Sequence, residues 1–371
     1  MILESIELIN FRLHQNTEIK FSEELNYIIG GNGQGKTSIL EAIYYLCTTK
    51  SFSQSSDGEA VNFNTRFFNT EGVFKDLTSN IARVNFSLDT NKKSIFIDEK
   101  QVYKSSSVIG KFPVVTLIQS DHDITQGSPS DRRKFVDSVI SQASETYLKI
   151  YLDYAKTLKQ RSSLLGKYKE TQNPALLDQL EVWNATLVNN GSELVKHRIK
   201  FIEEFNGYIL EAYRKIMENK ETPQISYNFY GVTEPELVEE KFIGELESKK
   251  NLELRRATNL IGPHRDEFKF KINGYELRKY GSQGQHKTFQ VALRFAQFFY
   301  MKEKLNKTPI FLMDDVFGEL DSFRAGKISQ YLKEVGQAFI TMTDFSNYEN
   351  LVRNENDLLI KVQNGQTEII S

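Results

Sequence analysis

The sequence predicts an α/β fold in which the two ends of the chain alternate strands with helices and the middle is helical. Three observations carry this prediction. A strand, a glycine-rich loop and a helix follow one another over residues 25–46, helical spacing dominates from residue 128 to about 218, and strand-like alternation returns after residue 255. The expected division is 1–125, 126–255 and 256–371. The outer segments would form one head, and the middle segment would be an inserted antiparallel helical arm.

Composition limits the class of protein. A chain of 371 residues, 39% hydrophobic and 26% charged, is typical of a soluble globular protein of about two domains. The single cysteine, Cys47, excludes an intrachain disulfide framework and a cysteine-based zinc site. Glu4 and Glu7 stand where a signal peptide needs a basic region, and no apolar run reaches the roughly 18 residues of a membrane span. We therefore expect a cytoplasmic protein with no membrane partner. With a formal net charge of −2, any nucleic-acid contact must use a local patch.

Short alternating elements justify the α/β start of the chain. Residues 3–10 and 16–21 have the pattern of paired strands, and residues 94–98 have that of a later strand. Residues 25–29 form an apolar strand pattern, and residues 38–46 have helical spacing. The glycine-rich segment between these two is therefore a loop that runs from a strand into a helix.

This loop matches the Walker A pattern Gly30-x-x-x-x-Gly35-Lys36-Thr37, in which glycines let successive backbone N–H groups surround a phosphate. Lys36 is expected to reach the β- and γ-phosphates, the Thr37 hydroxyl to bind Mg²⁺, and the helix N-terminus to favour the anion. The alternative is a glycine-rich turn with a chance lysine. The expected nucleotide-binding residues are Gly30, Gly31, Asn32, Gly33, Gln34, Gly35, Lys36, Thr37 and Ser38.

The middle of the chain predicts two antiparallel helices. Ser128 as N-cap, Pro129 at the first helical position and Asp131 three residues after the cap indicate a capped helix start. Leucines at helical spacing follow over 148–165, residues 166–174 predict a turn, and an apolar residue recurs every seventh position over 180–201. Three lysines share one face of the first helix, which indicates either DNA contact or a solvated face. They are Lys149, Lys156 and Lys167.

The segment after residue 255 is basic and begins with a hairpin. Residues 268–272 alternate apolar and basic side chains up to Asn273-Gly274, a strong hairpin signal. From Arg255 to Arg294 there are nine Lys and Arg residues against three acids. Nucleic-acid contact is one interpretation, and a lysine-protected strand edge is the other. The candidate DNA-binding residues here are Arg255, Arg256, Lys269 and Lys271.

Two further motifs complete the candidate site. A Ser/Gly/Gln-rich stretch containing Ser282, Gly284 and Gln285 opens an apolar helix at 289–301 and offers a second phosphate site. An apolar strand over 309–315 ends in Asp314 and Asp315, the form of a Walker B element. Asp314 is expected to bind Mg²⁺, and Asp315 to orient and polarise the attacking water. Residues 339–344 predict another strand.

Taken together, these motifs resemble the RecF family of SMC-like ABC ATPases of bacterial recombinational repair. The resemblance covers nearly the whole chain, in residues 6–12, 30–37, 127–135, 262–266, 281–285 and 314–321. It implies an ABC/SMC-like ATPase head, with ATP and Mg²⁺ bound at one protomer's Walker A loop and capped by the partner's Ser282 and Gly284. ATP would thus drive homodimerisation. It also implies that Arg12 lies near the nucleotide, that Gln119 senses Mg²⁺ and the γ-phosphate, and that Asp321 lies near the dimer seam.

The resemblance further implies an activity. The dimer would bind double-stranded DNA near single-strand gaps and junctions, slow DNA-stimulated hydrolysis would release it, and RecR with RecO would be the partner in loading RecA. The sequence departs from the family in three places. Gly31 stands where a glutamate is frequent, and Gln119 lies in a stretch where Ser-Pro-x-Asp is expected. Thr343 takes the place of the switch histidine of other ABC ATPases, a replacement that the family tolerates.

Two other functions stay open from the residues alone. A P-loop kinase or an NTPase that does not act on DNA would need neither a second signature nor a two-fold partner, and the block at 282–285 disfavours it. A non-hydrolysing ATP-gated DNA scaffold would not need both Asp314 and Asp315.

Overall fold

The computed structural model describes residues 1–53, 55–218, 220–343 and 354–370. The chain forms two compact units, each built from separate stretches of sequence. The first comprises Met1–Asp121, Ala212–Lys220 and Gln290–Ser371, and the second comprises His122–Glu211 and Glu221–Phe289. The predicted segment 256–371 is therefore shared between the units, since 256–289 lie in the second and 290–371 in the first.

The secondary structure follows the expected alternation. In chain order the strands are β1 (Ile2–Phe11), β2 (His14–Lys20), β3 (Leu25–Ile29), β4 (Phe67–Lys75), β5 (Ser79–Ser87), β6 (Lys92–Ile97), β7 (Lys100–Val102), β8 (Val114–Leu117), β9 (Pro223–Ser226), β10 (Lys269–Ile272), β11 (Tyr275–Glu276), β12 (Ile310–Asp314), β13 (Ala338–Met342), β14 (Leu358–Gln363) and β15 (Gln366–Ile369). The helices are α1 (Lys36–Thr48), α2 (His122–Gln126), α3 (Pro129–Ala143), α4 (Glu145–Thr171), α5 (Ala175–Met217), α6 (Val238–Arg256), α7 (Leu277–Tyr280), α8 (Gln283–Leu305) and α9 (Ser322–Leu332). Helices α5 and α8 contribute residues to both units.

The first unit contains two six-stranded sheets. One is antiparallel, in the order β2-β1-β4-β5-β6-β7, and its strands alternate buried apolar side chains such as Phe68 and Phe74 with outward-facing ones such as Lys75. The other has the order β15-β14-β3-β13-β12-β8, with parallel pairing from β14 to β8. Its strands read as continuous apolar runs, because both faces of a parallel sheet are covered. All of Ile310 to Met313 is buried accordingly.

Helix α1 joins the two sheets of this unit. It contacts β1, β4 and β5 of the antiparallel sheet and β12 and β13 of the parallel sheet. Its buried Ile39, Leu40 and Ile43 share one apolar core with Leu8 and Leu312. The start of this helix is therefore fixed by packing on both sides.

The second unit is mainly helical. Helices α4 and α5 are joined by residues 172–174, and Arg161 Nε donates to Asn184 Oδ1 at 2.9 Å between them. The buried Arg198 guanidinium pairs with Asp137 at 2.9 Å and Asp266 at 3.0 Å, so the charges taken out of water are compensated. A three-stranded sheet in the order β11-β10-β9 completes the unit.

Several predicted elements are confirmed, and one is corrected. The capping box of Ser128 and Asp131 starts α3, and Asn273 and Gly274, with φ of 51° and 82°, turn β10 into β11. The turn predicted over 166–174 is too long, because α4 continues to Thr171. A single glycine costs a helix only about 1 kcal/mol, which the good helix formers after Gly166 and the buried Leu165 outweigh. The strand predicted over 339–344 is β13, and Asp344 lies outside the described residues.

None of the helices in the described ranges combines the length and the apolar character that crossing a bilayer requires.

Candidate nucleotide site

The candidate site lies where four parallel strands of the first unit end. Strand β3 leads into the glycine-rich loop, β8 into Gln119, β12 into Asp315 and β13 into Thr343. In a parallel sheet these carboxyl ends share one edge, which is where open α/β sheets bind ligands. The pairing of Leu117 with Met313 in register places the segments that follow β8 and β12 side by side.

The loop adopts a conformation that its glycines favour. Gly33 and Gly35 have φ of 73° and 107°, in the left-handed region. A Cβ at Gly30 would lie 2.3 Å from the Val362 backbone oxygen, so β14 leaves no room for a side chain there. The loop residues Gly31, Asn32 and Gly33 are exposed.

Two neighbouring elements hold the loop from one side. His14 at the start of β2 contacts the Gly35 oxygen through Nε2 at 3.0 Å. The turn between β14 and β15 contacts Gln34, since the Gly365 N–H donates to its backbone oxygen at 3.0 Å and the Asn364 N–H to its Oε1 at 2.7 Å. Thr17 ties these two supports together by donating to the Gly365 oxygen at 3.0 Å.

Lys36 is buried at the mouth of the loop. Its ammonium donates to the Gly30 oxygen at 2.7 Å and to the Gly31 oxygen at 2.9 Å. Burial lowers the pKa of Lys36, and the nearby charges of Asp315 and Asp314 oppose that change. A phosphate at the loop would offer this cation a stronger partner than the two carbonyl groups, because the attraction between opposite charges is added to the hydrogen bond.

The two motifs meet at Asp314. The Thr37 hydroxyl donates to the Asp314 carboxylate, at 2.8 Å from Oδ1 and 3.1 Å from Oδ2. Thr341 of β13 donates to the same Oδ1 at 2.7 Å and accepts the Asp315 N–H at 2.9 Å. Asp315 itself has φ of 51°, a conformation that disfavours residues with a Cβ and that this hydrogen bond supports.

Arg12 lies in the turn between β1 and β2 and is held on several sides. Its guanidinium bonds both oxygens of Glu41, at 2.9 and 2.7 Å, and the Glu59 backbone oxygen at 2.8 Å. Burial raises the pKa of Glu41, but hydrogen bonds from Arg12 and Ser51 outweigh burial and lower it overall. Glu41 is therefore an anion that fixes Arg12 beside α1.

Gln119 begins a short helix, Gln119–Asp121, and its side chain is exposed at the shared edge. The helix is anchored by Asp121, which is buried and accepts from Arg294 of α8 at 2.8 and 2.5 Å. Thr343 is also exposed, one residue past β13.

The second phosphate-site candidate lies at the start of α8, in the second unit. Ser282 and Gln285 cap each other: the Ser282 N–H donates to Gln285 Oε1 at 2.8 Å, and the Gln285 N–H donates to Ser282 Oγ at 3.2 Å. Gly281 is required here, since a Cβ would lie 2.5 Å from the Leu277 oxygen. Ser282 is exposed, while Gly284 and Gln285 are partly exposed.

The candidate DNA-binding cations all belong to the second unit. Lys149, Lys156 and Lys167 are exposed on α4, and the first and last of them are 18 positions apart, which corresponds to about 27 Å of helix. Arg255 and Arg256 are exposed at the end of α6. Lys269 and Lys271 lie on β10, which pairs with β9 along its length but with β11 only at Lys271 and Ile272, so the strand-edge interpretation stays open for Lys269 and does not apply to Lys271. Among the residues that the structure describes, none of these seven cations has an ion-pair partner.

Sequence reasoning missed three residues that shape the site. Thr341 links both carboxylate residues, His14 supports the loop, and Glu41 fixes Arg12. Thr341 left a signal, since it is a polar residue within an otherwise apolar strand. Glu41 left another, as an acid in an apolar helix.

These features define an ABC-type ATPase head of the SMC class: a parallel sheet whose edge carries a Walker A loop and paired carboxylates, with an antiparallel sheet on the other side of α1. The family model described as RecF/RecN/SMC N terminal domain matches residues 2–369. The Smc head domain from Pyrococcus furiosus shares the fold, with a TM-score of 0.57 at 14% identity over 99% of this chain and 95% of that chain.

More similar relatives narrow the class. The DNA replication and repair protein RecF of Chloroherpeton thalassium is 40% identical over 93% of this chain and 95% of its own length. That of Salinibacter ruber is 37% identical over 92% of this chain and 85% of its own. A structure of the recombination mediator protein RecF with ATP in the RecFOR pathway matches with a TM-score of 0.90 and 31% identity, covering 100% of this chain and 97% of that chain. The chain belongs to the RecF family.

Proposed function

We propose that this protein is an ATP-dependent DNA-binding clamp that acts as a recombination mediator in the cytoplasm. The observation that carries the proposal is the contact of Thr37 with Asp314, because it joins a Walker A loop to a Walker B strand 277 residues away. The RecF relatives named for DNA replication and repair, and the RecF structure with ATP, support it. The first unit would act as the ATPase head, and the helices of the middle segment as the arm.

The residues at Asp314 fit a magnesium ion. Thr37 and Asp314 present hard oxygen donors to one place, and Mg²⁺ is usually bound through one or two protein groups together with substrate phosphates and water. When bound, the ion would neutralise charge on the β- and γ-phosphates. Thr341 would hold the Asp314 carboxylate in position.

Hydrolysis needs a water placed in line with the γ-phosphate. Asp315 follows the strand that carries Asp314, and as a general base it would accept the proton of the water whose oxygen attacks phosphorus. The bond to the ADP oxygen then breaks, and Lys36 stabilises the charge that develops on the phosphates. Gln119 would complete the catalytic set from the end of β8. We expect slow turnover that DNA stimulates.

ATP would also join two protomers. Ser282, Gly284 and Gln285 would cap the nucleotide of a second copy, because they lie at a helix N-terminus, which favours an anion. Two such sites related by two-fold symmetry close a clamp. RecR with RecO would be the partner that uses this state to load RecA.

The clamp would hold double-stranded DNA, near junctions with single strands, through the unpaired cations of the second unit. Contacts to phosphates are independent of sequence, so the protein is expected to recognise DNA structure rather than base order. The cations proposed for this role are Lys149, Lys156, Lys167, Arg255, Arg256, Lys269 and Lys271.

One experiment tests nucleotide, dimer and DNA together. DNA binding is measured with and without ATP while sedimentation reports the oligomeric state. We expect ATP to produce a dimer and to raise DNA affinity in the same concentration range. Binding of DNA by a monomer, with the same affinity whether or not ATP is present, would contradict the clamp.

A further inference from the structure

Phe63 is an apolar side chain in an unusual position. Its ring is 96% exposed, although phenylalanine is among the residues most often buried. The ring is displayed by a tight turn, in which the Thr65 N–H and hydroxyl both donate to the Asn62 oxygen at 3.0 Å. A single exposed apolar residue needs no explanation by itself, so what matters is where this turn is attached.

The turn is connected to the glycine-rich loop through the turn between β1 and β2. The Asn62 side chain donates to the Arg12 oxygen at 2.7 Å, so Phe63 directly follows a residue bound to the turn between β1 and β2. That same turn leads into His14, which contacts the Gly35 oxygen at 3.0 Å. A continuous path of hydrogen bonds and short chain segments therefore connects the loop to the exposed ring.

The sheet order indicates which end of a bound nucleotide would point toward the turn that carries Phe63. From β3, the strands β13 and β12 lie on one side and β14 on the other. Thr37 and Asp314 place the γ-phosphate end toward β12. The supports on the opposite side are β2 and the β14–β15 turn, joined through Thr17 and Gly365. Since the triphosphate runs along the loop, its nucleoside end leaves toward β2 and the Arg12 turn.

We propose that Phe63 stacks on the purine base of ATP bound at the Walker A loop. This inference rests on the proposed ATP site and adds the residue that contacts the base. An aromatic ring accepts any base by its π-face, so stacking favours the larger purines without reading hydrogen-bonding edges. ATP and GTP should therefore bind with similar affinity, and UTP more weakly.

The test compares a nucleotide with the same phosphates lacking a base. Calorimetric titration with ATP and with inorganic tripolyphosphate is performed on the wild type, Phe63→Ala, Phe63→Tyr and Leu77→Ala. Leu77 is a matched control, because it is 99% exposed in the β4–β5 turn of the same unit. We expect Phe63→Ala to weaken ATP binding about tenfold, as base–aromatic stacking does elsewhere, and to leave tripolyphosphate affinity unchanged. Phe63→Tyr should restore ATP binding, and Leu77→Ala should match the wild type.

Other outcomes overturn the proposal. Unchanged ATP affinity in Phe63→Ala shows that the ring does not contact the base. An equal loss for ATP and tripolyphosphate shows that the turn acts on the phosphate loop instead. Lys36→Ala separates this inference from the proposed function: that variant should lose both ligands, and unchanged binding there would remove the ATP site itself.

Discussion

Thr341 sits between the two carboxylate residues of the candidate site. One hydroxyl donates to Asp314 at 2.7 Å and accepts the Asp315 N–H at 2.9 Å. The same side chain thus orients Asp314, the proposed metal ligand, and supports the left-handed backbone of Asp315, the proposed general base. Removing a group that orients a metal ligand commonly lowers metal affinity or activity by roughly 10- to 100-fold.

Replacing Thr341 with valine keeps the shape and removes both hydrogen bonds. We expect Thr341→Val to lower the ATPase rate by roughly 10- to 100-fold and to raise the Mg²⁺ concentration needed for half-maximal rate. Steady-state hydrolysis over a magnesium titration measures both effects. Thr341→Ser, which keeps the hydroxyl, should retain most of the rate, and a wild-type rate in the valine variant would show that Thr341 is only a packing residue.

Substitutions at Lys36 and Asp315 should affect different steps, the first ATP binding and the second ATP hydrolysis. Lys36→Ala removes the charge that meets the phosphates, so high-affinity ATP binding should be lost. Asp315→Asn keeps the shape but cannot accept a proton, so ATP should still bind while hydrolysis falls to background. Equilibrium ATP binding and phosphate release, measured on both variants, separate these roles. Equal ATP affinity in Lys36→Ala and the wild type would contradict the assignment of the glycine-rich loop as the ATP site.

Secondary-structure elements can be predicted from residues adjacent in sequence, whereas the long-range contacts that hold them in place cannot. The strand, loop and helix at 25–46, the Ser128 cap and the Asn273-Gly274 hairpin depend on residues adjacent in sequence, and the sequence predicts all three. The support of the loop by Gly365 depends on a hydrogen bond across 331 positions of the chain. Such pairing is decided by sheet order, which no short pattern contains. Sequence patterns therefore indicated the binding motifs but not what holds them.

The loop at Pro263–Arg265 contains a histidine held in one tautomer. His264 Nδ1 accepts from the Tyr154 hydroxyl at 2.8 Å, and Nε2 donates to the Asn259 oxygen at 3.2 Å. Burial and, to a smaller extent, nearby arginines lower the pKa of His264 to about 4, although the hydrogen bond to Asn259 opposes this change. Protonation would remove the acceptor that Tyr154 donates to and place a positive charge in a buried site, so the neutral ring is part of how this loop packs.

The loop should therefore make stability depend on pH. Because the folded pKa lies below the unfolded value of 6.5, the contribution is present above pH 6.5 and is lost as pH falls toward 4. From pH 7.5 to 5 the loss should be about 2 kcal/mol. Thermal unfolding of His264→Gln, which can make both hydrogen bonds without titrating, should show a weaker decline.

A neighbouring carboxyl group changes the pH dependence of stability in the opposite direction. Its effect has to be subtracted by comparing the variant with the wild type. Burial raises the pKa of Asp266 to about 6, so its contribution grows as pH falls through that value. Both proteins carry Asp266, and the difference between their pH profiles therefore isolates His264. Parallel profiles would show that His264 does not titrate in this range.

At the scale of the whole molecule, a nearly neutral protein must concentrate its cations to bind DNA. Neutralising the exposed set Lys149, Lys156 and Lys167 should reduce the slope of log affinity against log salt by about 0.9 for each phosphate that the protein no longer neutralises. The triple variant of Lys100→Gln, Lys104→Gln and Lys111→Gln is a matched control, since it removes the same number of charges and all three lysines are exposed in the other unit. DNA binding titrated over salt concentration decides the matter, and an unchanged slope would leave the α4 lysines as a solvated face.

The start of α8 should be needed for ATP-driven dimerisation but not for ATP binding by the monomer. Ser282→Arg places a bulky side chain where the partner's γ-phosphate is proposed to lie, so ATP should no longer drive dimerisation. ATP binding by the monomer should be nearly unchanged, because Lys36 is untouched. Ser248→Arg adds the same side chain at an exposed position of α6 and should dimerise like the wild type. Normal ATP-driven dimerisation of Ser282→Arg in sedimentation would show that this segment does not cap nucleotide.

A mixture of two inactive variants tests whether the cap acts in trans. In a heterodimer of Ser282→Arg with Lys36→Ala, one composite site combines the native loop of the first variant with the native cap of the second. The other site carries both changes. If one intact site holds the clamp closed, sedimentation with ATP should detect a dimer that neither variant forms alone, and DNA binding should partly return. A cap acting within its own chain predicts no dimer, because each protomer would then carry its own defect. Varying the ratio of the two variants at constant total concentration should give the most dimer at equal amounts, as a heterodimer with one copy of each requires.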